Sequence, residues 1–173
     1  MSRTLVFDLD GTLVRLVVEW DTVADDVAAT LESRGVSPPD SLWEMLELAT
    51  ETGHRDAVER VIGEHEREGA RRSERLPVAD RLPEGPVGVC SLNCEAACRI
   101  AVERHGLDDR VGAIVGRDTV ATEKPDPEPL LETIRRLGGT PERTLFVGDT
   151  ERDERTAERA GTSFTYASAF ERA

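Results

Sequence analysis

Two carboxylates stand two residues apart at Asp8 and Asp10, followed at once by Gly11 and Thr12. Further polar groups come at Ser91 with Asn93, at Lys124-Pro125-Asp126-Pro127, and at Gly148-Asp149-Thr150-Glu151-Arg152-Asp153. Carboxylates in such a set can supply a nucleophile, a proton donor and hard oxygen ligands for a divalent cation. A hydroxyl and early N–H groups at a helix start can hold the oxygens of an anion, although serine and asparagine there are also ordinary caps. Lys124 is the only lysine in the chain and every other strong cation is arginine, so composition does not account for it. A compact ammonium fits between a carboxylate and anionic oxygens, where a wide guanidinium binds in another geometry.

These groups must be brought together by the elements around them. Short apolar runs rich in strand formers at residues 4–7, 87–90, 112–115, 144–147 and 163–166 predict strands. Helical periodicity over 95–105, 127–137 and 152–160, each closed by glycine, places helices between them. Strands alternating with helices predict an α/β fold, a Rossmann-like parallel sheet of about five strands covered on both faces. Right-handed crossovers put every strand-to-helix loop on one sheet edge, where open α/β folds bind ligands, and Asp8, Asp10, Ser91 and Asp149 all fall on such loops.

From Trp20 to Arg72 the pattern is helical without strands. Trp20, Val23, Val27 and Leu31 share one face, and further helices are predicted over about 42–49 and 56–72. The chain therefore divides into a core of residues 1–14 and 76–173 and a helical cap of residues 15–75 inserted after the first strand. Three prolines between Leu76 and Pro86 leave little room for a long helix before the strand at 87–90.

In this order and at these predicted loops, the four motifs resemble those of the haloacid dehalogenase superfamily over almost the whole chain. Among its members the general likeness is to phosphoglycolate-phosphatase-like proteins with helical caps. The resemblance implies a Mg²⁺-dependent phosphatase that carries the phosphoryl group as an aspartyl-phosphate on Asp8, with Asp10 as general acid and base. Asp8, the backbone carbonyl of Asp10, and Asp149 would hold the Mg²⁺, with Asp153 in or just behind that shell. Ser91, Asn93, Thr12 and Lys124 would grip the phosphoryl oxygens. The chemistry agrees, because a phosphate dianion repels an anionic nucleophile unless a cation neutralises both. Dehalogenases generally lack the second aspartate, so Asp10 implies a phosphate substrate, a small phosphorylated metabolite. Two other functions share the residues: a phosphomutase on sugar phosphates, and a non-catalytic binding protein of the same fold. Asp118 resembles a recurring family segment or only shapes a loop. Arg15, where many relatives carry an acid, could alter the charge of the preferred substrate.

Composition bounds the partners. With 22 Lys and Arg against 35 Asp and Glu, a formal charge of −13 argues against nucleic acid and anionic membranes as partners. An acidic, arginine-rich, lysine-poor surface suits a cytoplasm at high salt. The start of the chain has no charged leader followed by an apolar run, which also predicts a cytoplasmic location. Cys90, Cys94 and Cys98 read as buried small side chains, not a metal site, and His54, His65 and His105 have no metal-binding spacing. The charged stretch Glu64 to Glu68 with Arg71-Arg72 reads as a solvated helix face, and Trp20 and Trp43 as cap anchors or as the pocket mouth.

Overall fold

The computed structural model describes residues 3–172. Five parallel strands form the sheet: β1 (Thr4–Phe7), β4 (Val87–Cys90), β5 (Val111–Val115), β6 (Thr144–Gly148) and β7 (Ser163–Tyr166), in the order β5-β4-β1-β6-β7. Side chains alternate across it as the pleat requires. Val6, Cys90 and Phe146 point to a cluster with Leu130 and Ile134 of α5 (Glu128–Arg136) and Ala157 and Ala160 of α6 (Glu151–Ala160). Their neighbours Phe7, Val89 and Val147 point the other way, to Ala97, Cys98 and Ala101 of α4 (Glu95–Arg104) and Ala167 of α7 (Ala167–Phe170). Both faces of the sheet are thus covered, giving the α/β Rossmann-like fold that the alternation of elements predicts.

Residues between β1 and β4 build a second cluster of their own. Helices α1 (Trp20–Glu32), α2 (Leu42–Glu51) and α3 (Arg55–Arg71) bury Val23, Val27, Leu31, Met45, Leu46, Ala49, Val58 and Ile62 together. The i, i+4 spacing of Val23, Val27 and Leu31 makes this one helix face. Two features here are absent from the sequence expectations. Strand β2 (Val14–Arg15) pairs antiparallel with β3 (Glu74–Arg75), so the chain leaves for the helices and returns through one ribbon. A 3₁₀ turn over Pro77–Arg81 precedes β4 where the prolines leave no space for a longer helix.

Glu64, Glu68, Arg71 and Arg72 are exposed, but Glu66 within the same charged run is completely buried, which corrects the reading of that run as a solvated face. Glu66 continues the buried line of Val58 and Ile62 at steps of four residues, so it points inward with them. Among the described residues no helix is long and apolar enough to cross a membrane.

Candidate active site

Strands β1, β4 and β6 end side by side, and the residues that follow them meet at one edge of the sheet. Asp8 directly follows β1, and its N–H still donates to the Val147 carbonyl at 2.8 Å, so backbone pairing fixes where its side chain emerges. Asp10 lies beyond it, with Oδ1 accepting from the Leu16 N–H at 2.9 Å. Gly11 turns the chain at φ +84°, and a Cβ at this position would stand 2.1 Å from Asp149 Oδ2. Glycine is needed there twice over, for the left-handed backbone and for the close approach of the two loops.

Lys124 supplies the centre of charge. Its buried ammonium donates to Asp8 Oδ1 at 3.0 Å, to Asp153 Oδ1 at 2.6 Å and to the Cys90 carbonyl at 3.1 Å, which uses all three donors. Asp153 is saturated from the other side, since its Oδ2 accepts from the N–H groups of Asp149 and Thr150 and from the Thr150 hydroxyl. This capping box starts α6 and fixes Asp153 behind Asp8 and Asp149. Ligand oxygens from Asp8, Asp149 and Asp153 lie within 4.8 Å of one another.

One cation among three carboxylates leaves the cluster short of positive charge. Burial pushes the Asp8 carboxyl up to about 8, partly offset by Lys124 and reinforced by Asp153. Burial also raises Asp10 and Asp149, with the Leu16 N–H pulling Asp10 back. For Lys124 burial favours the neutral amine, but Asp8 and Asp153 more than reverse this and hold it protonated. A hard divalent cation fits this set, because Asp8 and Asp149 offer converging oxygens whose ionised forms are otherwise disfavoured.

Of the anion-binding residues predicted from the sequence, Ser91, Asn93 and Lys124 stand around the same space. A cavity of about 170 Å³ is lined by Asp8, Asp10, Ser91, Asn93, Lys124 and Asp149, among others. The Ser91 hydroxyl donates to Asn93 Oδ1 at 3.0 Å and accepts from the Asn93 N–H at 3.0 Å, forming a tight turn into α4. Thr12 is buried outside that lining, and its hydroxyl finds no hydrogen-bond partner among the described residues.

Two site residues, Glu66 and Arg152, escaped the sequence reading. Glu66 from α3 forms part of the wall, its carboxylate taking the Cys94 N–H at 3.0 Å and Asn93 Nδ2 at 3.3 Å. Arg152 lines the mouth with its guanidinium 5.4 Å from the ring centroid of Trp43. Trp20 and Trp43, 42% and 41% exposed, line the same cavity, so the two tryptophans belong to the mouth and not to the helical core. The signal for Glu66 was its four-residue step from Ile62; Arg152 had only its place within a motif. Asp118 accepts from the Glu95 N–H at 2.8 Å, a helix-starting contact. The three cysteines are buried and free, with the Cys90 and Cys94 thiols pushed up to about 12 by burial.

Comparison with known proteins gives this geometry its context. A haloacid dehalogenase-like hydrolase family model matches residues 84–167. Phosphoglycolate phosphatase from Mesorhizobium japonicum is 32% identical over 189 residues, covering 93% of this chain and 81% of the relative. Phosphoglycolate phosphatase from Aquifex aeolicus is 29% identical, covering 92% and 82%. The fold matches that of CbbY from Rhodobacter sphaeroides, solved in complex with phosphate, with a TM-score of 0.67 at 19% identity, covering 96% of this chain and 86% of that one. It also matches a HAD phosphatase from Thermococcus onnurineus, with a TM-score of 0.62 at 20% identity over 95% and 85%. With a likeness that runs through both the sheet and the inserted helices, the chain belongs to the haloacid dehalogenase-like hydrolases, as a phosphatase similar to the phosphoglycolate phosphatases.

Proposed function

We propose that this enzyme hydrolyses a small phosphate monoester with Mg²⁺, through an aspartyl-phosphate on Asp8. The observation that carries the reading is the Lys124 ammonium held between Asp8 and Asp153, beside the converging carboxylate of Asp149. Asp8, Asp149 and the Asp10 carbonyl would hold the Mg²⁺, with Asp153 orienting Lys124 and the start of α6 from behind. When bound, the ion screens the attacking carboxylate from the phosphate dianion and draws charge from the phosphoryl oxygens.

In the first half-reaction an Asp8 carboxylate oxygen forms a bond to phosphorus as the bond from phosphorus to the ester oxygen breaks. The departing alkoxide takes its proton from Asp10. Burial raises Asp10, which favours the protonated form needed at this step. In the second half a water attacks phosphorus, gives its proton to Asp10, and the Asp8–phosphorus bond breaks to release phosphate. Ser91, Asn93 and Lys124 would hold the phosphoryl oxygens through both halves, Lys124 by turning one N–H from its present acceptors to the substrate, with Thr12 supporting the first loop. For Ser91 this requires its hydroxyl proton to turn from Asn93 to the substrate.

The helices over residues 15–75 would act as the cap, with the β2–β3 ribbon as its stem and Trp20, Trp43 and Arg152 at the mouth. A cavity of about 170 Å³ suits a substrate of a few carbons. That the relatives are phosphoglycolate phosphatases supports a small phosphorylated metabolite. The charge of −13 supports work in a cytoplasm of high ionic strength.

Phosphate release from a panel of small phosphate esters, with Mg²⁺ or with chelator and at molar or millimolar salt, tests the proposal. Mg²⁺-dependent release that Asp8→Asn removes supports it. Interconversion of sugar phosphates without release, or silence from folded protein, counts against it.

A further inference from the structure

A second buried ion cluster lies beside the first, and its groups converge on the Ser91 turn. The Arg117 guanidinium, 1% exposed, enters from the turn after β5. Its Nε donates to Glu59 Oε1 and Oε2 at 3.2 and 3.1 Å. Nη1 donates to Glu66 Oε1 at 2.7 Å and to the Leu92 carbonyl at 2.6 Å. Nη2 donates to Glu59 Oε2 at 2.9 Å and Glu66 Oε2 at 3.0 Å, so all five N–H groups meet oxygen. Arg55 adds a contact to Glu59 at 3.1 Å and lies 3.8 Å from Glu123 at the cluster's edge.

What this cluster holds is a short piece of backbone. Leu92 is tied by Arg117 Nη1, Asn93 by the Arg117 N–H donating to its carbonyl at 2.9 Å, and Cys94 by its N–H to Glu66. Gly116 allows this contact, since a Cβ there would lie 2.3 Å from the Glu95 nitrogen and 2.7 Å from the Asn93 carbonyl oxygen. The cluster also sets the Asn93 amide. An ionised Glu66 only accepts, so Asn93 must turn its NH₂ toward it, which leaves Oδ1 facing the Ser91 hydroxyl. Hydrogen bonds thus run from Arg117 through Glu66 and Asn93 to Ser91. Arg117 also neutralises Glu66, whose bare charge at the cavity wall would repel an anionic substrate.

We propose that Glu66 and Arg117 are positioning residues that hold the Ser91–Cys94 turn in the geometry for gripping the phosphoryl group. This inference rests on the reading of Ser91 and Asn93 as phosphate-binding groups. Buried ion pairs are weak sources of net stability, and apolar replacement of both partners is often neutral. An apolar pair cannot replace the acceptor for Cys94 and Asn93 or the donor for Leu92.

The test compares Glu66→Gln, the double variant Glu66→Met with Arg117→Met, and Glu59→Gln, a contact of Arg117 that does not touch the turn. Melting temperature, kcat and KM with an aryl phosphate, and inhibition by inorganic phosphate are measured for each. Glu66→Gln and the double variant should stay folded while kcat/KM falls about tenfold or more and the phosphate inhibition constant rises about tenfold, as loss of one or two well-placed hydrogen bonds gives. Glu59→Gln should change both by no more than about threefold. Folded Glu66→Gln with wild-type kcat/KM and phosphate inhibition would overturn the inference, and this near-isosteric variant decides the matter if the double variant does not fold. Wild-type protein that hydrolyses no phosphate ester would instead defeat the reading of the site, and this inference with it.

Discussion

The two buried ion clusters of this protein differ in how fully their charges are matched. Around Lys124 one cation faces Asp8, Asp149 and Asp153, and burial lifts Asp8 to about 8. Around Arg117 two cations, Arg117 and Arg55, face Glu59, Glu66 and at the edge Glu123; every Arg117 guanidinium N–H is used, and Glu66 has both oxygens engaged. Both reach the cavity, one through Asp8, Lys124 and Asp149 and the other through Glu66, and both join distant segments. On the proposed reading the deficit around Lys124 suits an added cation and an incoming phosphate, whereas the Arg117 cluster, with every guanidinium donor used, has little to react and much to hold still. The residue types follow. A lysine concentrates charge at a point, and an arginine spans several fixed acceptors at once.

Removing the proposed nucleophile should break the comparison most. Asp8→Asn is expected to lower kcat by about 10³-fold or more in steady-state hydrolysis of an aryl phosphate, the scale for loss of a covalent catalyst. The same variant reports on the charge deficit. Burial pushes the Asp8 carboxyl in the metal-free fold up to about 8 from 3.8, so its contribution to stability should fall as pH rises through that window. Thermal unfolding of metal-free protein should therefore lose stability from about pH 4 to 8, and Asp8→Asn should flatten that slope.

Exchanging the two cations sharpens the difference. Lys124→Arg puts a planar fork where three acceptors surround one nitrogen, and kcat/KM should drop about 10²-fold with the fold retained by circular dichroism. Arg117→Lys cannot reach Glu59, Glu66 and Leu92 together, and the drop there should be nearer tenfold, mostly in KM. Equal losses from the two exchanges would mean that the clusters do the same work.

Smaller effects are expected away from the charges. Gly11→Ala pushes a methyl group against Asp149 and strains a left-handed turn, so the Mg²⁺ concentration for half-maximal activity should rise by about tenfold. Arg152→Met removes the guanidinium stacked on Trp43 at the mouth. Its effect on kcat/KM should be about threefold, the scale of a partly exposed cation–π contact.

Much of this was legible in the sequence because strands and catalytic loops announce themselves locally. Phe7 precedes Asp8 as a strand end precedes its loop, and a lone lysine in an arginine-rich chain marks Lys124 without any structure. Glu66 was hidden because its neighbours in sequence are charged, while its neighbours in space lie 27 to 51 residues away. The β2–β3 ribbon was hidden because two residues make no period to detect. Asp153 was legible as a site residue but not in its bonding, since only the folded loop shows that Lys124 and the Thr150 cap use both of its oxygens.

The central claim is that phosphorus passes through Asp8, and acid-quenched trapping of the phosphoenzyme tests it most directly. Asp10→Asn protein would be mixed with an activated aryl phosphate and Mg²⁺, quenched, digested and weighed by mass spectrometry. The account predicts one phosphoryl group on the peptide holding Asp8, formed only with Mg²⁺ and absent when Asp8→Asn is added. A phosphoryl group on another residue, such as Ser91, or wild-type turnover with none trapped in either protein, would contradict it.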